Sequence, residues 1–223
     1  MTTLWEPTAE RIARANLTAF AATVATRHGV DVGTYARLWR WSVDHKAEFW
    51  REIWNFGEVQ GVPGDRVLLD ADRMPGARWF PDARLNFAQN LLERRRADDD
   101  GDALVFWGED KIKRRMSHAQ LHAGASRVAD ALAAHGVTVG DRVAAFMPNM
   151  PETIIALLGS AARGAIWSSC SPDFGVQGVL DRFGQIEPRE VASLGLQPVR
   201  CKLVGHPSPL VRRRITHHGD TND

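Results

Sequence analysis

A chain of 223 residues is long enough for one large domain or two small domains with a buried core. Hydrophobic residues make up 44% and charged residues 25% of it, with a formal net charge of +1, so no strong field attracts nucleic acid or an anionic membrane. The two cysteines, Cys170 and Cys201, are too few for a disulfide framework. Neither a signal peptide nor a membrane-spanning stretch is predicted. We therefore expect a cytoplasmic protein.

The first hundred residues are predicted to be mainly helical. Apolar side chains recur at three- and four-residue spacing in residues 8–29, 35–41 and 44–56, and Asp44 is the predicted cap of the third helix. Five of the eight tryptophans precede residue 60: Trp5, Trp39, Trp41, Trp50 and Trp54. Their helical spacing favours a packing face over the alternatives, a ligand platform or a nucleic-acid stacking surface.

A hydrophilic segment at residues 94–102 is interpreted as a loop. Its aspartates alternate as in a calcium-binding loop, but Gly101 is misplaced for that pattern and the distal glutamate is missing. Residues 103–107 and 111–116 then predict a β-hairpin.

Ser117 begins the next predicted helix, with Gln120 at the capping-box position. His118 and His122 lie one turn apart on this helix, which is the spacing of a zinc pair. The HExxH motif needs a glutamate where Ala119 stands, and no third ligand is evident, so we interpret them as solvated or capping side chains and expect no metal site.

Residues 142–169 predict a strand, a helix and a second strand. The apolar run 142–147 ends at a Pro-Asn turn, Asn149 is a candidate helix cap, Pro151 suits the first helical position, and Gly164 ends the helix before the strand at 165–169. A unit this compact indicates a right-handed parallel crossover. A turn at 170–175 and a further helix follow.

The segment from residue 147, MPNMPETIIALLGSAARGAIWSSCSPDFGVQGVLDRFGQIEP, resembles the early adenylate-forming domain of the AMP-forming acyl-CoA synthetases, and its second half is most similar to the acetoacetyl-CoA synthetases. Residues 39–43 and 49–50 resemble the helical N-terminal extension of this family, and residues 75–92 the segment that leads into its nucleotide-binding domain. The resemblance implies an α/β fold, with a helical N-terminal extension in residues 1–100 followed by the first part of an adenylate-forming (ANL-type) α/β domain in residues 101–189, truncated.

The resemblance is expected to end at Arg189, where the family continues with a buried strand. Residues 190–223 contain three prolines, the run Arg212-Arg213-Arg214 and the pair His217-His218, without a sustained period. We expect an aberrant, disordered tail that arose by a frameshift or truncation near codon 190. The alternative is a genuine mobile extension that serves as a weakly basic binding arm.

The resemblance implies an acid-thiol ligase that converts acetoacetate, ATP and CoA to acetoacetyl-CoA, AMP and pyrophosphate with Mg²⁺. The sequence holds no Ser/Thr-Gly-rich-Pro-Lys phosphate loop, no GxxxxGK[ST] and no GxGxxG, and the family's acyl pocket, hinge acid and C-terminal lysine belong to sequence beyond this chain. We therefore expect no catalytic residue, no productive cofactor binding and no ligase activity in the chain alone. The alternative is a non-catalytic helical module that associates with an intact synthetase. Another short acyl acid in place of acetoacetate also stays open.

The turn at 170–175 is the best candidate for substrate contact, because open α/β sheets bind ligands at the carboxyl ends of parallel strands. A plain structural turn is the equal alternative. In the similar acetyl-CoA synthetases the corresponding turn lies near the CoA entrance, which makes Pro172, Asp173, Phe174 and Arg182 candidate CoA-side residues. That sister family carries glycines at the Pro172-Asp173 positions, so the approach of the backbone to CoA is expected to differ.

The strand at 165–169 has a predicted role in assembly. A domain cut inside its sheet would leave this strand with unpaired backbone groups along one edge. We expect self-association through that edge, poor solubility or partial folding.

Overall fold

The structure, a computed structural model, describes residues 4–93, 100–109, 111–193 and 199–200. The chain divides into two compact units, Met1–Leu85 and Asn86–Asp223. The compact units divide after Leu85, whereas the predicted helical extension covers residues 1–100. The reason is that the helix Phe87–Leu92 packs with later helices, where Ala88 is fully buried beside Leu121 and Leu158.

The first unit contains helices and short strand pairs. The helices are α1 (Ala9–Ala13), α2 (Asn16–His28), α3 (Tyr35–Asp44) and α4 (Lys46–Phe56). The strands are β1 (Gly61–Val62), which pairs with β4 (Arg84–Leu85), and β2 (Leu68–Leu69), which pairs with β3 (Arg78–Trp79), both antiparallel.

Two helix boundaries in this unit differ from the predicted ones. The single helix predicted over residues 8–29 is interrupted between α1 and α2, because Ala15 is extended, with φ −72° and ψ 137°. Gly29 ends α2 in the left-handed conformation, as predicted, with φ 65°. Asp44 is the last residue of α3 and does not cap α4, which instead follows His45.

The core of the first unit is small and lies between α2, α3 and α4. Its buried members are Phe20, Val24, Val32, Leu38 and Trp41. Among the tryptophans predicted to pack, Trp41 is 7% exposed, whereas Trp5 and Trp39 are 67% and 49% exposed. The prediction is therefore confirmed for Trp41 and wrong, within this unit, for Trp5 and Trp39.

The second unit is a helix-covered sheet with an added hairpin. Its elements are α5 (Phe87–Leu92), β5 (Asp102–Gly108), β6 (Ile112–Ser117), α6 (His118–Ala134), β7 (Arg142–Phe146), α7 (Pro151–Ala162), β8 (Ile166–Cys170), α8 (Val176–Ile186), β9 (Glu190–Ser193) and β10 (Val199–Arg200). The predicted hairpin is confirmed as β5 and β6. The sheet has the order β10, β9, β7, β8, in which β8 and β9 run parallel to β7 and β10 runs antiparallel to β9.

The central strand β7 is apolar because helices cover both faces of the sheet. Val143 packs on one face with Leu132 of α6, and Ala144 packs on the other face with Val179 and Phe183 of α8. A strand buried on both faces needs a continuous apolar run rather than an alternating one. The predicted parallel crossover from β7 through α7 to β8 is confirmed.

The N-terminal cap of α6 agrees with the prediction, whereas that of α7 differs by one residue. The predicted capping box of α6 is confirmed: the Gln120 N–H donates to Ser117 Oγ at 3.2 Å, and the Ser117 N–H donates to Gln120 Oε1 at 2.9 Å. In α7, Pro151 takes the first turn, but the residue at the cap is Met150 and not Asn149.

The expected tail differs from the structure at its beginning. Glu190–Ser193 forms strand β9 beside β7, so regular structure continues past the predicted boundary at residue 190. Four residues are too few for a period to be recognised in the sequence, and the strand is defined by its partner β7. The predicted loop at residues 94–99 and the remainder of the tail, 194–198 and 201–223, lie outside the described residues.

Candidate functional site

The carboxyl ends of three strands meet at one edge of the sheet. Phe146 at the end of β7 is in register with Cys170 at the end of β8 and with Ser193 at the end of β9. The turns that follow β7 and β8 therefore begin at the same level, and α7 and α8 both start at this edge. This is the position at which parallel α/β sheets bind ligands.

The turn after β8 is held together by its own polar groups. The Ser171 hydroxyl donates to Asp173 Oδ2 at 2.7 Å, and the Phe174 N–H donates to the Ser171 carbonyl at 3.2 Å. The Asp173 N–H also lies 3.4 Å from Ser171 Oγ. Asp173 therefore stabilises the turn, and Pro172 stands exposed between these two residues.

Phe174 and Arg182 form the one contact between predicted site residues in this part of the structure. The Arg182 guanidinium carbon lies 3.9 Å from the centroid of the Phe174 ring, and Arg182 Nη1 donates to the Gly178 carbonyl at 3.1 Å. Phe174 keeps 40% of its surface exposed. A cation over an aromatic face orients both groups, so the pair presents a fixed positive charge beside an accessible ring.

Cys170, the last residue of β8, is 3% exposed and packs with Ala144, Val179 and Phe183. Burial raises the pKa of the Cys170 thiol above its ordinary value, and the positive charge of Arg182 offsets part of that rise. A buried thiol with a raised pKa is protonated near neutral pH and is a poor nucleophile. Cys170 is therefore a packing residue at the base of the turn.

The predicted site residues near this turn have different partners. Phe174 and Arg182 contact one another, whereas Asp173 accepts a hydrogen bond from Ser171, which was not a predicted site residue. The ion pair between Arg114 of β6 and Glu152 of α7, in which Nη2 and Oε1 lie 2.6 Å apart, was not predicted either. Glu152 was recognisable as an acidic residue in a first helical turn, but its partner lies on another element.

The described residues also bear on metal binding and membrane insertion. No group of three His, Cys, Asp or Glu side chains in the described part of the chain could hold a metal ion, and that part includes His118 and His122. None of the described helices is long and apolar enough to cross a bilayer.

Comparison with known proteins relates the two units to one kind of enzyme. The family model described as acetyl-coenzyme A synthetase N-terminus matches residues 35–91, and the model described as AMP-binding enzyme matches residues 93–201. An acetoacetyl-coenzyme A synthetase of Rhizobium meliloti (strain 1021) is 50% identical over 186 residues, which cover 83% of this chain and 28% of that protein. The chain is homologous to the N-terminal part of the acetoacetyl-CoA synthetases. This second match extends to residue 201, so the expectation that the resemblance ends at Arg189 is wrong.

A solved synthetase shares the fold. The structure of acetoacetyl-CoA synthetase from Streptomyces lividans superposes with a TM-score of 0.79 at 38% identity, covering 98% of this chain and 33% of that one. A malonamoyl-CoA synthetase of Penicillium aethiopicum is 34% identical over 191 residues, or 83% of this chain and 26% of that protein. The chain thus spans roughly a quarter to a third of the length of the synthetases it matches.

Proposed function

We propose that this chain supplies the N-terminal scaffold and part of the CoA-side wall of a cytoplasmic acetoacetate-CoA ligase. In that reaction acetoacetate and ATP give acetoacetyl-AMP and pyrophosphate, and CoA then displaces AMP to give acetoacetyl-CoA. The 50% identity to an acetoacetyl-coenzyme A synthetase carries the proposal. The 34% identical malonamoyl-CoA synthetase makes the acyl acid its least supported part.

The proposed contribution of the chain is positioning. Phosphoryl and acyl transfer of this kind depend on orientation of the reactants and on charges aimed at the reacting oxygens. Arg182 offers a guanidinium that can pair with a phosphate of CoA, and the exposed ring of Phe174 offers a stacking surface. Asp173 contributes by stabilising the turn, where its carboxylate accepts a hydrogen bond from the Ser171 hydroxyl. It does not contact a phosphate of CoA, because its negative charge would repel one.

The chain by itself is proposed to lack ligase activity, because the sequence has none of the phosphate-binding loops that adenylation requires. The test is acetoacetate-dependent exchange of pyrophosphate into ATP by the purified 223-residue chain. No exchange above the rate without acetoacetate is expected. Exchange that copurifies with the chain would refute this part of the proposal.

The CoA-side role is tested in a chimera that joins this chain to the remaining sequence of the Rhizobium meliloti relative. Arg182→Ala should raise the KM for CoA by about tenfold, which corresponds to the loss of one charge-assisted contact of about 1.5 kcal/mol. Pyrophosphate exchange, which needs no CoA, should stay unchanged. Arg127→Ala is the matched control, because Arg127 is an exposed arginine on α6.

The two half-reactions decide the outcome of this experiment. If Arg182→Ala lowered exchange and thioester formation equally, Arg182 would be a folding residue and not a CoA-side one. If the chimera formed thioester with another short acid and not with acetoacetate, the acyl assignment would be wrong while the CoA-side role would stand.

The second candidate function is a non-catalytic module that binds an intact synthetase. It is favoured by an apolar groove on the first unit, whose rim includes Leu17, Tyr35 and Trp39, exposed by 52%, 74% and 49%. Apolar surface of this kind commonly marks an interaction site. Copurification of tagged chain with a full-length synthetase would support it, and loss of that copurification in Trp39→Ala, with Trp5→Ala as control, would locate the contact.

A further inference from the structure

Ser171 follows directly after the last residue of β8 and makes three polar contacts within the turn. Its hydroxyl donates to Asp173 Oδ2 at 2.7 Å, and the Asp173 N–H lies 3.4 Å from the same hydroxyl oxygen. Its carbonyl accepts from the Phe174 N–H at 3.2 Å. The preceding residue, Cys170, is attached to the sheet, because its carbonyl accepts from the Met147 N–H at 3.2 Å. Ser171 therefore connects the fixed end of β8 to the backbone of Phe174.

Phe174 depends on this turn for its position. It precedes Gly175, the cap of α8, which has no side chain with which to fix the start of the helix. The Phe174 ring is 40% exposed, and its centroid lies 3.9 Å from the guanidinium carbon of Arg182. Arg182 is held separately by α8, which is anchored in the core by the buried residues Val179 and Phe183. The turn thus sets where the ring stands against a guanidinium that the helix already places.

Both members of this pair lie over Gly178 of α8. A Cβ built at Gly178 would lie 3.4 Å from Arg182 Nη1 and 3.7 Å from Phe174 Cδ1. The Gly178 carbonyl also accepts from Arg182 Nη1 at 3.1 Å. The guanidinium therefore has one partner on the helix and one on the turn, and only the partner on the turn depends on Ser171.

We propose that Ser171 is a positioning residue for the CoA-side site, because its hydroxyl holds the turn so that the Phe174 ring stays against the Arg182 guanidinium. This inference rests on the proposed function, in which these two side chains bind CoA. A guanidinium stacked on a ring keeps one orientation, and an oriented charge binds a phosphate at a smaller entropic cost than a mobile one. Loss of the hydroxyl should therefore weaken CoA binding although Ser171 itself does not contact CoA.

Nuclear magnetic resonance of the 223-residue chain tests the positioning directly. The ring current of Phe174 shifts the Arg182 side-chain protons that lie over the ring upfield, and Phe174→Leu defines the size of this shift. Ser171→Ala should lose most of the shift, whereas Ser171→Thr, which keeps the hydroxyl, should retain it. Asp173→Ala removes the acceptor of the hydroxyl and should have the same effect as Ser171→Ala. Ser169→Ala, at an exposed serine of β8, is the matched control and should leave the shift unchanged.

The chimera with the Rhizobium meliloti sequence tests the effect on CoA. Ser171→Ala should raise the KM for CoA by about threefold to fivefold, less than Arg182→Ala, because one neutral hydrogen bond is lost and the guanidinium keeps its bond to Gly178. The kcat at saturating CoA should change by less than about twofold, since the hydroxyl does not contact the reacting atoms. In a chimera that already carries Arg182→Ala, Ser171→Ala should have no further effect on this KM. Ser171→Thr should restore the parent KM.

These two measurements distinguish failure of the Ser171 role from failure of the proposed function. If Ser171→Ala kept the ring-current shift, the hydroxyl would not position the pair, whatever the chain binds. If Ser171→Ala raised the KM for CoA equally with and without Arg182→Ala, Ser171 would act on CoA by another route, which also contradicts the proposal. If Arg182→Ala alone raised this KM, the CoA-side role would stand and Ser171 would have no part in it. If neither variant changed it, the CoA-side role would be wrong, and the role of Ser171 with it.

Discussion

Close packing of α6 against α7 depends on Gly159, and replacing it by alanine tests that packing. A Cβ built at Gly159 would lie 2.6 Å from Val128 Cβ and 2.8 Å from the Ala125 carbonyl oxygen. Val128 is β-branched and held in one rotamer by its helix, and the Ala125 carbonyl is backbone, so neither can move without shifting α6. Gly159→Ala must therefore separate the two helices.

The expected magnitude is the difference between two effects. Overpacking a closely packed core costs about 1 to 3 kcal/mol, while replacing glycine by alanine inside a helix contributes about 1 kcal/mol in favour of the variant. Since the built Cβ meets backbone and a stiff side chain, we expect the cost at its upper end, and a net loss of about 1 to 2 kcal/mol. For a chain of this size, that lowers the melting temperature by roughly 2 to 8 °C.

Two other glycines supply matched controls for the urea unfolding experiment. At Gly184 of α8 no atom lies within 4 Å of a built Cβ, so Gly184→Ala should stabilise by about 0.5 to 1 kcal/mol. At Gly124 of α6 a built Cβ would lie 3.0 to 3.3 Å from three side-chain atoms of Ile155 and would meet no backbone atom, so Gly124→Ala should cost less than Gly159→Ala. If Gly159→Ala unfolded at the same or higher urea concentration than the parent chain, the close approach of α6 and α7 would be wrong.

Two further predictions concern polar contacts. The pKa of the Asp141 carboxyl lies below its ordinary value, chiefly because the Thr138 N–H donates to it, with the charge of Arg189 acting in the same direction and burial opposing. A carboxyl with a lowered pKa stabilises the fold at pH values above its pKa in the unfolded chain, so Asp141→Ala should cost about 1 to 2 kcal/mol at pH 7. The difference in unfolding free energy between parent and variant should shrink as the pH falls below about 4. A difference that grew there would contradict this prediction. Glu52 is 6% exposed and lies 2.8 Å from Arg27 Nη1 and 3.1 Å from His28 Nε2, so Glu52→Gln should lower stability by about 1 to 3 kcal/mol. An equal loss in an Arg27→Met background would exclude the Arg27 pair as the cause and leave the His28 contact.

Local signals predicted the elements of the second unit well. The capping box at Ser117 and Gln120 and the apolar run of β7 involve residues within a few positions of one another, so the sequence displays them directly. The start of α4 and the break between α1 and α2 were missed, because the cap residues there, His45 and Ala15, make no side-chain cap hydrogen bond and so give no local signal. Strand β9 was missed because its four residues are defined by their partner strand.

The sequence predicted the position of the candidate site but not the contacts between its residues. A turn after a parallel strand is a general ligand position, and the family resemblance drew attention to four residues near it. Contact between Phe174 and Arg182 depends on how α8 leaves the turn, which no spacing rule supplies. The use of Asp173 to fix Ser171 likewise required the turn geometry.

The sequence by itself determined the kinship of this chain, the parallel crossover and most of its helices, because periodicity, capping and long matching strings are properties of neighbouring residues. Tertiary structure decided which tryptophans are buried, where the units divide, that β9 joins the sheet, and that β8 lies at its edge in the described residues. These features depend on contacts between positions far apart in the chain. Such contacts are formed by the folded backbone, and a one-dimensional pattern does not encode them in any local signal.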